Sequence, residues 1–217
     1  MINIFGRPIW DYLRACGACG TAFRPVDFFC EACWIEFRRR SNRGARLRAP
    51  QEDFPVHALW TWTEDNDVFL RPLIYALKGA WGAAIVDKLV EDLSFARDGL
   101  PARERDFRVA LPPRRPGCER DHAWMLAHAF AGLWRMPVWD GLALDSPPGV
   151  GAQKGRNARE RRRLLYRTKG ALPAASSWVF LDDVVTTGAT ARAAFLALGK
   201  PPRFEVWALA YRPPPQA

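Results

Sequence analysis

The stretch that decides the fold is residues 178–190, WVFLDDVVTTGAT. It begins with a short apolar run, a pattern typical of a strand buried on both faces of a parallel sheet. Two carboxylates follow, then a turn rich in threonine and glycine. Residues 191–198 come next and have the composition of a helix. Strand, acidic pair, small-residue turn and helix, in this order, predict a phosphate-binding corner.

The side chains and amides of this corner suit a phosphorylated sugar. Asp182 and Asp183 are acceptors for two neighbouring sugar hydroxyls or for a hydrated Mg²⁺. Gly188 lets the backbone approach a ligand closely. An ordinary strand-to-helix corner is the alternative, but a buried pair of aspartates is costly without a ligand or cation. The anion would meet the amides at the start of the helix, where donors are unpaired: Thr186, Thr187, Gly188, Ala189 and Thr190.

These residues resemble the 5-phosphoribosyl-1-pyrophosphate (PRPP) motif of the type I phosphoribosyltransferase family. The resemblance implies that Asp182 and Asp183 hold the ribose 2′- and 3′-hydroxyls during catalysis. It also implies that the turn at 186–190 wraps the 5′-phosphate and that Mg²⁺ accompanies PRPP. The fold it implies is α/β, a mostly parallel sheet flanked by helices.

Four of the five cysteines form two CxxC pairs separated by ten residues. Four thiolates presented in this way suit the tetrahedral coordination of Zn²⁺ and leave no open position, so we expect a structural zinc. Iron–sulfur ligation and a pair of redox dithiols are the alternatives. The predicted ligands are Cys16, Cys19, Cys30 and Cys33.

Composition and charge limit the remaining possibilities. The chain has 217 residues, 49% of them hydrophobic, enough for one α/β domain and a small module. We expect a cytoplasmic protein without membrane insertion, because no apolar run approaches ~20 residues and no signal peptide is evident. A net charge of +9 favours phosphorylated ligands or nucleic acid as partners.

Two units are expected along the chain, a zinc module with a basic linker at 1–50 and a phosphoribosyltransferase-like domain at 51–217. Residues 38–48 carry six arginines, which we interpret as a solvated linker; a nucleic-acid contact is the alternative. Periodicity in the larger unit predicts further strands and helices. The strands are expected at 56–63, 107–111, 138–144 and 204–211, and the helices at 67–78, 83–96 and 119–134.

A proline- and arginine-rich loop follows the strand at 107–111. Pro113 stiffens the loop, and Arg114 and Arg115 can bind pyrophosphate oxygens in a bidentate manner. Lys78 is a further candidate phosphate contact. For His122, a ligand contact and a surface or capping role are both open.

A basic segment between glycine- and proline-rich residues suits a mobile lid over a polyphosphate. Its candidate residues are Gln153, Lys154 and Arg159. An exposed helix on DNA and a solvated face are the alternatives.

Over nearly its whole length the chain resembles the ComF/GntX family, competence-associated phosphoribosyltransferase-like proteins with an N-terminal zinc module. The shared features, in order, are the cysteine pairs, residues 77–79, the proline loop, Gln153 with its basic segment, and the Asp-Asp motif. The chain departs from the family at residues 118–122, where CERDH stands in place of the family's Arg-Gly-aromatic-Asn-Gln signature. The resemblance implies a setting in DNA uptake.

These features predict one function and leave one alternative open. The first is transfer of ribose 5-phosphate from PRPP to an acceptor, with release of pyrophosphate. The second is a non-catalytic accessory role with single-stranded DNA or DNA-processing proteins, in which the PRPP site is a regulatory input or a relic.

Overall fold

The computed structural model describes residues 14–23, 28–41, 46–47, 54–78, 85–89, 107–114, 121–145, 165–175 and 177–213. The strands are β1 Arg14–Ala15, β2 Ala22–Phe23, β3 Arg46–Leu47, β4 Val56–Thr61, β5 Phe107–Ala110, β6 Val138–Trp139, β7 Leu142–Leu144, β8 Tyr166–Thr168, β9 Ser177–Val185 and β10 Arg203–Tyr211. The helices are α1 Glu31–Arg39, α2 Glu64–Leu77, α3 at residues 85–89, α4 His122–Trp134 and α5 Ala189–Ala197. None of the helices in these ranges has both the length and the hydrophobicity that a membrane span requires.

A six-stranded sheet forms the centre, in the order β3-β4-β10-β9-β5-β6. The five strands from β4 to β6 are parallel, and β3 pairs antiparallel with β4. The apolar residues of β9 are buried on both faces, because Val179 and Leu181 pack on the side of α2 and α4 while Trp178 and Phe180 pack on the side of α5. The expected α/β architecture with a mostly parallel sheet is confirmed.

The connections of β5 and β9 leave the sheet in opposite directions. From β5 the chain passes through α4 to β6, and from β9 it passes through α5 to β10, on the other side. A crevice at the carboxyl ends of two such strands is where open α/β sheets place their ligands. Ala110 pairs with Phe180 at the end of β5. Residues 111–114 therefore leave the sheet next to the acidic pair of β9.

The cysteine-bearing segment shares its hydrophobic core with the sheet. The ring of Phe37 on α1 stacks on Trp60 of β4 with centroids 4.0 Å apart, and Trp60 Nε1 donates to the carbonyl of Phe37 at 2.9 Å. Phe29 meets Phe69 of α2 edge to face at 5.8 Å. Because these aromatic side chains are buried together, the stability of the cysteine-bearing segment is coupled to that of the sheet.

Several element boundaries differ from the sequence expectation. The single strand expected at 138–144 is two strands: β6 joins the main sheet, whereas β7 pairs with β8 in a separate antiparallel ribbon. The break falls at Gly141, where the indole of Trp139 folds over the backbone and would collide with any Cβ. Helix α4 begins at His122 rather than 119, because the side chain of Asp121 caps it.

Candidate functional site

The acidic pair lies near the carboxyl end of β9 and is joined there by residues of two helices. Asp183 is largely buried, with 13% of its side chain exposed. Its Oδ2 lies 3.2 Å from Nζ of Lys78, at the end of α2, and 3.0 Å from Nε2 of His122, the first residue of α4. Three separate parts of the chain thus meet at one carboxylate.

The two carboxylates differ in their surroundings. Oδ1 of Asp182 accepts from the amide of Asp183, and Oδ1 of Asp183 accepts from the amide of Val184, each at 2.9 Å. Burial, and then the charge of Asp183, raise the pKa of Asp182 well above its usual value. Burial acts in the same sense on Asp183, but the hydrogen bond from His122 and the charge of Lys78 outweigh it and hold the pKa of Asp183 below its ordinary range. Asp183 is the anionic member of the pair.

Asparagine substitutions at the two positions are expected to change stability in opposite directions. At pH 7, Asp183→Asn loses a charged hydrogen bond and an ion pair, and should cost about 1–3 kcal/mol. Asp182→Asn removes a carboxyl group whose ionisation burial disfavours, and it keeps the acceptor Oδ1, so it should stabilise the protein by about 1 kcal/mol. The measurement is urea unfolding of both variants against the wild type.

The pH dependence of these differences follows from the direction of each pKa shift. The pKa of Asp183 is lowered on folding, so its contribution is present above about pH 4 and is lost as the pH falls through the folded value. The pKa of Asp182 is raised, so its proton stabilises the fold below about pH 4, and that stability is lost as the pH rises. Both asparagine effects should shrink below pH 4. If both variants changed the free energy of unfolding in the same direction at pH 7, the assignment of Asp183 as the anionic residue would be contradicted.

The turn after β9 presents backbone amides. Residues 186–188 form a bend, with Thr186 and Thr187 exposed and Gly188 buried. Gly188 adopts the left-handed conformation, with φ of 70°, and stands at the N-cap of α5 without a side-chain cap. The first amides of α5 are therefore not taken by a capping side chain, and the helix dipole favours an anion there. Ala189 and Thr190, also predicted at the site, begin the helix.

The proline loop brings Arg114 against α4. The guanidinium lies 3.7 Å from the ring centroid of Trp124, a cation–π contact, and Trp124 in turn contacts the ring of His128 at 3.9 Å. Burial, and then the charge of Arg114, lower the pKa of His128. Pro113 is half-buried beside Arg114, which is exposed. Arg114, in the loop, thus packs against α4, the helix whose first residue contacts Asp183.

Some predicted residues fall beyond the described ranges. They are Arg115 of the proline loop and the lid candidates Gln153, Lys154 and Arg159. Their roles stay predictions.

The four predicted metal ligands come together near the N-terminus. Cys16 and Cys19 lie on the hairpin of β1 and β2, which is closed by a hydrogen bond from the Cys16 amide to the carbonyl of Thr21 at 2.9 Å. Cys30 is the N-cap of α1, and Cys33 lies in its first turn. The ligand atoms of all four cysteines lie within 4.8 Å of one another.

The geometry of the cluster fits a tetrahedral metal. Zinc–sulfur bonds of ~2.3 Å place sulfurs about 3.8 Å apart, and Cys19 and Cys30 have Sγ atoms 3.8 Å apart. Hydrogen bonds with Thr21 lower the pKa of Cys19 to about 6, whereas burial and the neighbouring sulfurs raise the pKa of Cys33. Four thiolates this close need a cation to be stable together. The four cysteines can hold a metal ion such as zinc.

Two residues of the site could not be assigned from sequence alone. The sequence does not distinguish a ligand contact of His122 from a surface or capping role; in the structure His122 contacts Asp183, and Asp121 supplies the cap. Trp124, the partner of Arg114, was not predicted. The available signal was Asp121 directly before an apolar helical repeat, which marks a helix start at the carboxyl edge of the sheet.

Comparison with protein-family models and with curated protein sequences finds no match for this chain.

Proposed function

We propose that the protein binds PRPP, or a related phosphorylated ribose, at the carboxyl edge of β9. The observation that carries this proposal is the acidic pair next to the left-handed Gly188 and the uncapped start of α5, at the carboxyl ends of β5 and β9 where the chain connections diverge. A ribose 5-phosphate offers two neighbouring hydroxyls and a dianion, which suit a carboxylate pair and a helix N-terminus. The type I phosphoribosyltransferase fold and ComF/GntX membership are part of the same proposal.

The proposed reaction is transfer of ribose 5-phosphate to an acceptor. The bond from C1 to the pyrophosphate oxygen breaks, and its electron pair leaves with pyrophosphate. The nitrogen or oxygen of the acceptor bonds to C1 and releases its proton to solvent. Asp182 and Asp183 hold the ribose hydroxyls, and Arg114 with Lys78 neutralises the leaving group. Mg²⁺, when bound with PRPP, supplies further neutralisation of that charge. Two further parts of the proposal rest on the sequence alone. One is a pyrophosphate contact by Arg115, and the other is a lid that contains Gln153, Lys154 and Arg159.

Binding and turnover are tested separately. Calorimetry with PRPP and Mg²⁺ is expected to show one site in the wild type, lost in the Asp182→Asn/Asp183→Asn double variant. Phosphorus NMR with a panel of bases, amines and single-stranded DNA ends then reports pyrophosphate release. Binding without release would support a PRPP-binding protein that is not a transferase, and no binding would refute the proposal.

A non-catalytic role with single-stranded DNA or DNA-processing proteins is the second candidate, favoured by the net charge of +9. In the described part of the arginine run, however, Arg39 and Arg40 pair with Glu36 at 2.8 and 2.6 Å, and Arg40 also donates to the carbonyl of Asp65. These contacts favour a structural role for Arg40, whereas the side chain of Arg39 is 76% exposed and its ion pair contributes little. Salt-dependent DNA retention that persists in the double aspartate variant would favour the accessory role.

We further propose that the cysteine cluster holds a structural zinc. The sulfurs occupy all four positions of a tetrahedral ion, so no position is left for a substrate. The cytoplasmic location and the DNA-uptake setting remain predictions.

A further inference from the structure

The position of His122 at the start of α4 restricts the conformation of its side chain. The helix begins with this residue, and the carboxylate of Asp121 caps it by accepting from the amides of Ala123 at 3.1 Å and Trp124 at 3.4 Å. The imidazole is 8% exposed. Because the cap holds the first turn and the surrounding protein holds the ring, His122 can make its contact with Asp183 without a loop rearrangement.

The carboxylate of Asp183 contacts three donors that differ in how firmly the protein holds them. Its Oδ1 is held by the amide of Val184, while Oδ2 receives both His122 Nε2 at 3.0 Å and Lys78 Nζ at 3.2 Å. The Lys78 side chain is 45% exposed and follows the last residue of α2. An exposed, flexible lysine exchanges partners readily, whereas a buried imidazole does not.

The acceptor positions of Asp183 follow from these contacts. Each carboxylate oxygen has about two lone-pair positions, and both of those on Oδ2 are taken here, one by His122 and one by Lys78. A sugar hydroxyl therefore gains an acceptor position on Oδ2 when Lys78 moves away. Asp182 is the other titratable group next to Asp183, and its Oδ1 accepts from the amide of Asp183.

We propose that His122 is the positioning residue of Asp183: by donating from Nε2 it keeps that carboxylate anionic and oriented, while Lys78 is an exchangeable partner that a ligand displaces. The displaced ammonium is then free to neutralise a phosphate of the ligand. This inference rests on the proposed function only for the identity of the ligand. The contact between His122 and Asp183 is a property of the protein alone.

The first test uses ligand-free protein. Carbon-13 NMR follows the Asp183 carboxyl in the wild type and in the His122→Leu and His122→Gln variants. The leucine variant, which has no donor, is expected to raise the titration midpoint of Asp183 by about one unit or more, and glutamine, which retains a donor, by less. An unchanged midpoint in the leucine variant would overturn the proposal. A purely structural role for His122 would affect stability alone.

A second measurement needs no substitution at His122. Long-range proton–nitrogen spectra of the wild type are expected to show Nε2 of His122 protonated wherever Asp183 is ionised. A ring protonated only at Nδ1 under those conditions would overturn the proposal, even if both His122 variants failed to fold.

Titration with ribose 5-phosphate then separates this inference from the proposed function. We expect His122→Leu to weaken binding about 10-fold, since a bond to a charged acceptor is lost. In the wild type, ribose 5-phosphate should shift the Lys78 Nζ resonance. If Nε2 is protonated and the Asp183 midpoint moves but the sugar phosphate does not bind, the positioning role stands and the proposed function fails. Binding that leaves the Lys78 resonance unchanged would overturn the exchangeable role of Lys78.

Discussion

Replacing Cys33 by serine is expected to abolish tight metal binding and to destabilise the sheet together with the cysteine segment. The cluster holds the start of α1, and α1 carries Phe37 onto Trp60 in the core that also contains Phe69. Metal binding and folding are coupled in sites of this kind. We expect a loss of roughly 3 kcal/mol or more, which lowers Tm by about 10 °C for a chain of this length.

The matched control is Cys118→Ser, which removes the one cysteine outside the cluster. Thermal melts followed by near-ultraviolet circular dichroism, together with metal analysis of the purified protein, distinguish the two variants. A chelator should shift the wild-type melt in the same direction as Cys33→Ser. A Cys33→Ser protein that lacks metal but melts at the wild-type temperature would show that the cluster and the sheet are independent.

Gly188→Val is expected to weaken binding of PRPP by at least about 10-fold. At φ of 70°, a residue with a Cβ costs about 1–2 kcal/mol, and a β-branched residue is especially unfavourable there. The turn would move to another conformation and its amides would no longer converge on one anion. Losing one or two charged hydrogen bonds of about 1.5–3 kcal/mol each corresponds to at least about 10-fold in affinity.

Gly199 offers the matched control for this experiment. It also has a positive φ, 76°, and a Cβ there would meet nothing within 4 Å. It lies beyond the far end of α5, so Gly199→Val introduces similar backbone strain away from the crevice. Calorimetry should show wild-type affinity for Gly199→Val and a loss of affinity of at least about 10-fold for Gly188→Val. Similar losses in both variants would mean that Gly188 acts through stability alone.

Local patterns allowed most of the large elements to be predicted. The apolar run of β9, the alternation of β10 and the apolar face of α2 are signals within a single segment, and their positions agree with expectation to within a few residues. The cysteine cluster was also predictable, because each CxxC spacing places its two sulfurs near one another and a tetrahedral zinc site requires both pairs.

Contacts between distant segments were not predictable. Lys78 reaches Asp183 only because β4 lies two strands from β9 and α2 crosses the same face as α4. The strand break at Gly141 depends on how the indole of Trp139 folds, and the three-residue strand β8 has no pattern of its own. The sequence also did not predict that the cysteine-bearing segment and the sheet share one core. That core depends on the packing of Phe37 on Trp60, which the composition of neither segment indicates.

The central claim is that the turn after β9 binds the phosphate of a sugar through backbone amides. Proton–nitrogen spectra recorded during addition of ribose 5-phosphate test it directly, because each amide reports its own environment. We predict saturable shifts at Thr187, Gly188, Ala189 and Thr190, with Gly199 unchanged. Saturation with shifts confined to other residues, or no shifts at millimolar ligand, would contradict the claim.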